Sequence, residues 1–156
     1  MAGDIEQGLR VQVSGLRELV KGLKGGEERL DLELRKRMRT MAKEVAADAR
    51  AMAAGLQPRV PEAVLNTLVG RAQSASAEVR LGSNRVPYAL GWEFGAAHNF
   101  PRETHRGIVR GWNQFPLWRG NKSEAGYFLY PTIRSKRAEL EQDILDLIDE
   151  VLAGGD

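Results

Sequence analysis

Residues 29–54, RLDLELRKRMRTMAKEVAADARAMAA, form the most regular hydrophobic pattern in this chain. The apolar residues recur in steps of three and four, which is the spacing of one face of an α-helix. This period persists over about seven turns, and a sustained period is the most reliable secondary-structure signal in a single sequence. We therefore predict a long amphipathic helix that ends near Gly55. Its apolar stripe consists of Leu30, Leu34, Met38, Met41, Val45, Ala49 and Met52.

A second amphipathic helix is predicted over residues 132–152. Pro131 stands at its start, where the first turn of a helix accepts proline, and Gly154 and Gly155 follow its last apolar residue. Each of the two helices has one apolar face, and each face needs another element to cover it. The stripe of the second helix consists of Ile133, Leu140, Ile144, Leu147, Ile148, Val151 and Leu152.

Short apolar runs outside these helices predict a small antiparallel sheet. A short helix is also expected at residues 16–23, after the first strand. The chain is thus predicted to be one α+β domain over residues 1–156, in which both long helices pack on the same sheet. The strand candidates are Val11 and Val13, Val79 and Leu81, and residues 127–130, YFLY.

The segments between these elements are predicted to be less regular. Pro58 and Pro61 interrupt the first helical pattern, and the residues up to Ser76 are expected to combine a short helical piece with a mobile or partner-dependent loop. Residues 82–84, Gly-Ser-Asn, are typical of a turn. Residues 88–94 are predicted to be extended or partly helical.

Residues 96–126 are predicted to form a long flexible loop, because they show neither a helical nor a strand period. Their large aromatic side chains favour contact with a partner over permanent exposure to water. Tryptophan and arginine are also the residues most enriched at protein interfaces. We therefore expect this loop to be an assembly element that becomes ordered against a neighbour. The residues expected to make the contact are Arg106, Arg110, Trp112, Phe115 and Trp118.

The sequence lacks the motifs of the common enzyme classes. It contains no cysteine, no G-x-S-x-G nucleophile elbow, and no Walker A or GxGxxG phosphate loop. Its histidines, His98 and His105, do not have the spacing of a zinc motif. We therefore expect no catalytic residue, no metal and no cofactor. Without a long apolar run or a secretory signal, the chain is expected to be soluble, to have no membrane partner and to fold in the cytosol.

Charge is distributed unevenly along the chain, although the formal net charge is only +2. Residues 102–122 carry five basic residues and one acid, whereas residues 138–156 carry seven acids and neither lysine nor arginine. Opposite charge in two regions allows copies of one chain to pair with each other. Two separately solvated faces are the alternative interpretation.

A second alternative is that the loop binds nucleic acid, as in a packaging accessory protein. Trp112 and Trp118 have the rings to stack on bases of a single strand, and nearby arginines have the charge to contact phosphates. These arginines are Arg106, Arg110 and Arg119.

Two short motifs, taken in order, resemble a family of phage proteins. VPYALGWEFG, residues 86–95, is followed by YFLYPTIRSKRAEL, residues 127–140. This order resembles the head-to-tail connector proteins, also called neck or tail-completion proteins, of long-tailed bacteriophages. Residues 15–24 and the Ala-rich first helix are similar to the start of that family, whereas residues 61–65 depart from its usual pattern. The residues that match are Tyr88, Ala89, Glu93, Phe94, Gly95, Phe128, Leu129 and Pro131.

The resemblance implies a noncatalytic structural virion protein that forms a ring at the head–tail junction and surrounds the DNA channel. The implied partners are copies of the same chain, in a hexamer or alternatively a dodecamer, and the adjoining head-closure and tail proteins. DNA would pass through the lumen without sequence-specific contacts. Assembly would take place in the host cytoplasm, before the protein resides in the virion.

Two physical expectations accompany this resemblance. A ring subunit meets its neighbours through two different faces, and the basic loop and the acidic last helix would supply such a pair. Glu93 would be a structural acid bonded to a backbone donor or an arginine, because a buried carboxylate without a partner is costly.

Overall fold

The computed structural model describes residues 9–12, 27–73, 76–96, 101–104, 107–110, 114–120 and 124–153. Within these ranges the chain forms a three-stranded sheet, a two-stranded sheet, two long helices and two short ones. In chain order, the elements are β1 (Leu9–Gln12), α1 (Glu27–Ala54), α2 (Glu62–Leu65), β2 (Val69–Gln73), β3 (Ser76–Leu81), α3 (Ala89–Phe94), β4 (Pro101–Thr104), β5 (Gly107–Arg110) and α4 (Leu129–Ala153).

The three-stranded sheet has the order β1-β3-β2, and both pairs of neighbouring strands are antiparallel. Val79 in the central strand lies opposite Val11 of β1 and Gly70 of β2. β4 and β5 form a separate antiparallel pair. The predicted α+β class, with a small antiparallel sheet and two long helices, is therefore confirmed.

α1 covers the sheet with most of the apolar stripe that its periodicity predicts, but Met52, predicted to belong to the stripe, is 40% exposed near the end of the helix. Leu34, Met38 and Ala49 of this stripe are fully buried. Gly70 of β2 lies against the backbone of α1, so that a Cβ atom at this position would overlap the carbonyl group of Ala42. The absence of a side chain at Gly70 lets the strand approach the helix closely.

α4 packs against α1, and in this detail the structure differs from the prediction that both helices pack on the sheet. Half-buried apolar residues of α4, including Leu147, extend the core along this contact. Two ion pairs flank it: Lys136 Nζ lies 2.8 Å from Asp48 Oδ2, and Arg37 Nη2 lies 3.1 Å from Asp143 Oδ2. Both pairs are partly exposed, so apolar burial contributes more than charge to this contact.

Several segments predicted from short patterns have a different structure. Residues 127–130, predicted to be a strand, form a bend and the first turn of α4. The loop predicted before Ser76 contains β2, and the loop predicted over residues 96–126 contains β4 and β5. Short apolar runs do not distinguish a strand from a buried helical turn, because they hold too few repeats. The short helix predicted at residues 16–23 lies outside the described residues.

Candidate functional site

The N-terminus of α4 is capped by Glu93, which is the penultimate residue of α3 and is fully buried. Glu93 Oε2 accepts hydrogen bonds from the backbone N–H groups of Phe128 at 3.2 Å and Leu129 at 3.0 Å. Glu93 Oε1 accepts a third from the N–H of Tyr130 at 2.8 Å. The first amides of a helix have no partner within the helix, so a carboxylate from elsewhere in the chain satisfies them here.

The protonation of Glu93 reflects two opposing effects. Burial raises the pKa of the Glu93 carboxyl above its ordinary value of 4.5, and hydrogen bonds from the backbone amides of residues 127–130 oppose this rise. The positive end of the α4 dipole also favours the carboxylate. Desolvation is the larger effect, so the net direction of the pKa is upward.

Two glycines with positive φ let the backbone approach this cap. Gly126 has a φ of 87°, and a Cβ atom there would overlap the Glu93 carboxylate and lie 2.7 Å from the Cβ of Tyr130. Gly95 has a φ of 74°, and a Cβ atom there would overlap the carbonyl of Leu117. Because L side chains rarely adopt this conformation, both positions favour glycine on two independent grounds.

Residues 114–120 are bound to the ends of α3 and α4 by backbone hydrogen bonds. The N–H of Ala96 donates to the carbonyl of Pro116 at 2.9 Å, and the N–H of Arg119 donates to the carbonyl of Phe94 at 2.6 Å. The Tyr127 hydroxyl donates to the carbonyl of Leu117 at 2.7 Å. This part of the predicted flexible loop is therefore docked on the subunit.

Aromatic rings also pack in this region, where residues 114–120 meet the end of α3 and the start of α4, and which we call the junction. Trp92 and Phe115 form an edge-to-face pair with centroids 5.8 Å apart, and Gly91 leaves room for Phe115, whose ring would lie 2.7 Å from an added Cβ. Phe94 contacts Tyr130 at 5.3 Å between centroids. Phe115, predicted as a contact to a partner, is thus half-buried and packs inside the subunit.

One part of this junction remains open to solvent. Leu117 and Trp118 are 63% and 61% exposed, and we call these two residues the 117–118 patch. The Trp118 ring touches Phe94, with 6.5 Å between centroids, so its position is fixed from one side. Beside the patch, the Arg119 guanidinium lies 5.0 Å from the centroid of the Tyr127 ring. Exposed apolar residues next to an arginine are typical of a protein interface.

The residues that carry the family resemblance come together at this junction. Ala89, Glu93, Phe128 and Leu129 are buried, and Pro131 lies in the first turn of α4. The expectation that Glu93 is bonded to a backbone donor is confirmed by its three hydrogen bonds. The remaining motif residues, Tyr88, Phe94 and Gly95, begin or end α3.

The predicted contact residues are described less completely. Arg106 and Trp112 lie outside the described residues, and Arg110 is the last residue of β5. Sequence reasoning missed Gly126 and Leu117. In the sequence, Gly126 is a glycine shortly before the last helix, and a glycine there is equally typical of an ordinary turn between two elements.

The described ranges hold no cluster of three or more acidic or histidine side chains that is arranged to bind a metal ion. His98 and His105 lie outside them. Among the helices of these ranges, none combines the length and the apolar character needed to cross a bilayer. Comparisons with protein-family models, with curated proteins and with solved structures found no significant match to this chain.

Proposed function

We propose that this protein is a noncatalytic structural subunit of a ring at the head–tail junction of a long-tailed bacteriophage. The observation that carries the proposal is that the two motifs resembling the neck family meet at one residue. Glu93, from the first motif, accepts hydrogen bonds from Phe128 and Leu129 of the second. The two motifs, which are distant in sequence, therefore form one structural unit. This supports treating them together as one family motif.

The 117–118 patch supplies one face of the proposed ring contact. Trp118 is exposed, but one side of its ring packs against Phe94. Little side-chain entropy is therefore lost when a neighbouring subunit covers it. Arg119 adds a positive charge at the edge of the patch. A rigid tryptophan beside an arginine is the kind of anchor that dominates binding energy at interfaces.

The outer surface of α4 supplies the other face. Leu145 is 55% exposed, and Asp149, one helical turn further on, lies on the same side of α4. The exposed Asp146 and Glu150 lie further round the helix, toward α1. Within the described residues, Asp149 and Glu150 make no ion pair that would neutralise them. An exposed apolar residue on an acidic helix complements an apolar patch edged by arginine, and the two faces differ, as a ring requires.

In this proposal, identical subunits close into a ring, with a hexamer favoured and a dodecamer as the alternative. The ring contacts head-closure and tail proteins above and below, and DNA passes through its lumen without sequence-specific contacts. The protein assembles in the host cytoplasm and resides in the virion.

Charge reversal tests the proposed contact directly. Arg119→Glu alone, or Asp149→Lys with Glu150→Lys, should weaken self-association of the full chain at least about tenfold, which is about 1.4 kcal/mol. Light scattering over a concentration series measures this. The combined variant, in which both faces are reversed, should regain association because complementarity is restored.

A matched control separates the contact from a general effect of charge. Arg39 is exposed on α1, so Arg39→Glu makes the same change of charge away from both faces. The proposed contact is wrong if Arg39→Glu weakens association as much as Arg119→Glu, or if the combined variant associates no better than the single-face variants.

A further inference from the structure

A basic pocket lies at one end of the three-stranded sheet, outside the junction described above. It is open to solvent and has a volume of about 480 Å³. Its lining includes three arginines and four neutral polar residues, and none of the described residues that line it is acidic. The arginines are Arg71, Arg80 and Arg85, and the polar residues are Asn66, Thr67, Ser83 and Asn84.

Strand register brings two of these arginines to one face of the sheet. Val69 lies opposite Arg80, and Arg71 lies opposite Glu78. Residues directly opposite each other in an antiparallel pair share a face, and so do residues two apart in one strand. Arg71 and Arg80 are therefore diagonal neighbours. This is the face turned away from α1, because Gly70, on the alternate face, contacts that helix.

Two turns complete the pocket. Gly82, with a φ of 91°, redirects the chain after β3, and the tight turn from Ser83 to Val86 brings Arg85 to the pocket. The Thr67 hydroxyl accepts a hydrogen bond from the N–H of Gly82 at 2.9 Å and donates to the carbonyl of Val64 at 2.6 Å. The turn after α2 and the turn after β3 are thus tied together, so the walls of the pocket are fixed to each other.

The charge of the pocket is incompletely neutralised. Arg80 Nε lies 3.3 Å from Glu78 Oε1, which compensates one arginine. Arg71 and Arg85 are exposed and make no ion pair with any described residue. Like charges in one pocket repel each other, and a bound anion would remove that cost.

We propose that this pocket binds a phosphate oxyanion, either a backbone phosphodiester of nucleic acid or a free phosphate. The planar fork of a guanidinium matches the oxygens of phosphate with two parallel hydrogen bonds. Tetrahedral phosphate accepts donors from several directions, and Asn66 and Asn84 offer neutral ones beside the arginines. The proposal does not depend on ring assembly, since every wall of the pocket comes from one subunit.

The test uses the full chain and two probes, a labelled DNA duplex and inorganic phosphate. Fluorescence anisotropy of the duplex should report binding that weakens as salt rises. In the Arg71→Gln/Arg85→Gln variant, the plot of log K against log salt should be shallower, with a slope smaller in magnitude by about two, since each lost phosphate contact contributes about one. Both side chains are exposed, so the variant should fold, which circular dichroism checks.

The controls distinguish a nucleic-acid phosphate from free phosphate, and they define the results that would contradict the proposal. Arg39→Gln/Lys43→Gln removes the same charge from the exposed surface of α1 and should leave the slope nearly unchanged. If the duplex does not bind but phosphate shifts the NMR amide resonances of Asn66 and Gly82 in wild type alone, the ligand is free phosphate. If neither probe binds, or if both double variants lose affinity equally, the pocket is not a phosphate site.

Discussion

Glu93 Oε1 accepts a 2.8 Å hydrogen bond from the backbone N–H of Tyr130, across 37 residues of sequence. Through this contact and its two companions at Oε2, the short helix α3 determines where the long helix α4 begins. Helix caps normally come from the residue next to the helix. A cap from a distant element joins two parts of the fold, so its loss should affect the whole junction.

Replacing Glu93 with alanine should lower the free energy of unfolding by about 2–4 kcal/mol, because two buried and one partly buried N–H groups lose their acceptor and a cavity forms. Urea unfolding followed by circular dichroism measures the change. Glu124→Ala, at an exposed acid in the same region, is the control and should cost less than about 0.5 kcal/mol. Equal effects of the two substitutions would contradict the capping role.

The ionisation of Glu93 should make the free energy of unfolding depend on pH. Because burial raises its pKa in the folded state above 4.5, the unfolded chain releases this proton at a lower pH than the folded chain does. The stabilisation from Glu93 is therefore fully present below about pH 4.5 and is lost as pH rises through the higher folded-state pKa.

The stability difference between wild type and Glu93→Gln isolates this effect, since glutamine does not titrate. Wild type should lose stability relative to the variant as pH rises from about 4.5 toward neutrality. Urea midpoints across that range measure the difference. If the difference stays constant above about pH 4.5 and wild type instead gains relative stability as pH rises toward 4.5 from below, the backbone hydrogen bonds outweigh desolvation and the pKa of Glu93 is lowered.

Gly126→Ala should destabilise the fold by at least about 2 kcal/mol, because alanine is strained at positive φ and its Cβ would overlap the Glu93 carboxylate. Thermal unfolding checks this. Gly55→Ala is the matched control, since the nearest atom to an added Cβ there is the Met52 carbonyl oxygen at an ordinary 3.6 Å. A mild effect at Gly126, equal to that at Gly55, would show that the turn before α4 can rearrange.

Leu147→Asp should cost about 1–3 kcal/mol, because a charge would be placed in the half-buried contact between α4 and α1. Leu145→Asp makes the same chemical change two residues away, at a side chain that is 55% exposed, and should be nearly neutral for the isolated subunit. Reversed magnitudes in urea unfolding would mean that the opposite face of α4 packs on α1.

The sequence predicted the long elements well and the short ones poorly, for a physical reason. α1 and α4 bury a stripe over many turns, so their apolar period is unambiguous. Residues 127–130 carry the same apolar character in a run too short to show a period. Their helical start depends on the Glu93 carboxylate, which comes from a distant part of the chain and leaves no local signal.

The candidate site divides in the same way. The expectation of bonding partners for Glu93 accompanied the family resemblance, because a buried carboxylate without partners is costly, and the structure supplies those partners. The inward position of Phe115 did not follow, because an aromatic residue in an irregular segment reads equally well as an anchor for a partner. Only the small size of Gly91, which receives the Phe115 ring, indicates the internal contact, and that pairing is visible only in three dimensions.

Cryo-electron microscopy of the assembled full-length protein tests the ring proposal most directly. We expect closed rings, sixfold or alternatively twelvefold, in which the 117–118 patch of each subunit contacts the acidic surface of α4 on the next. A protein that stays monomeric at every concentration, or a twofold dimer that buries the same face of both subunits, would contradict the proposal.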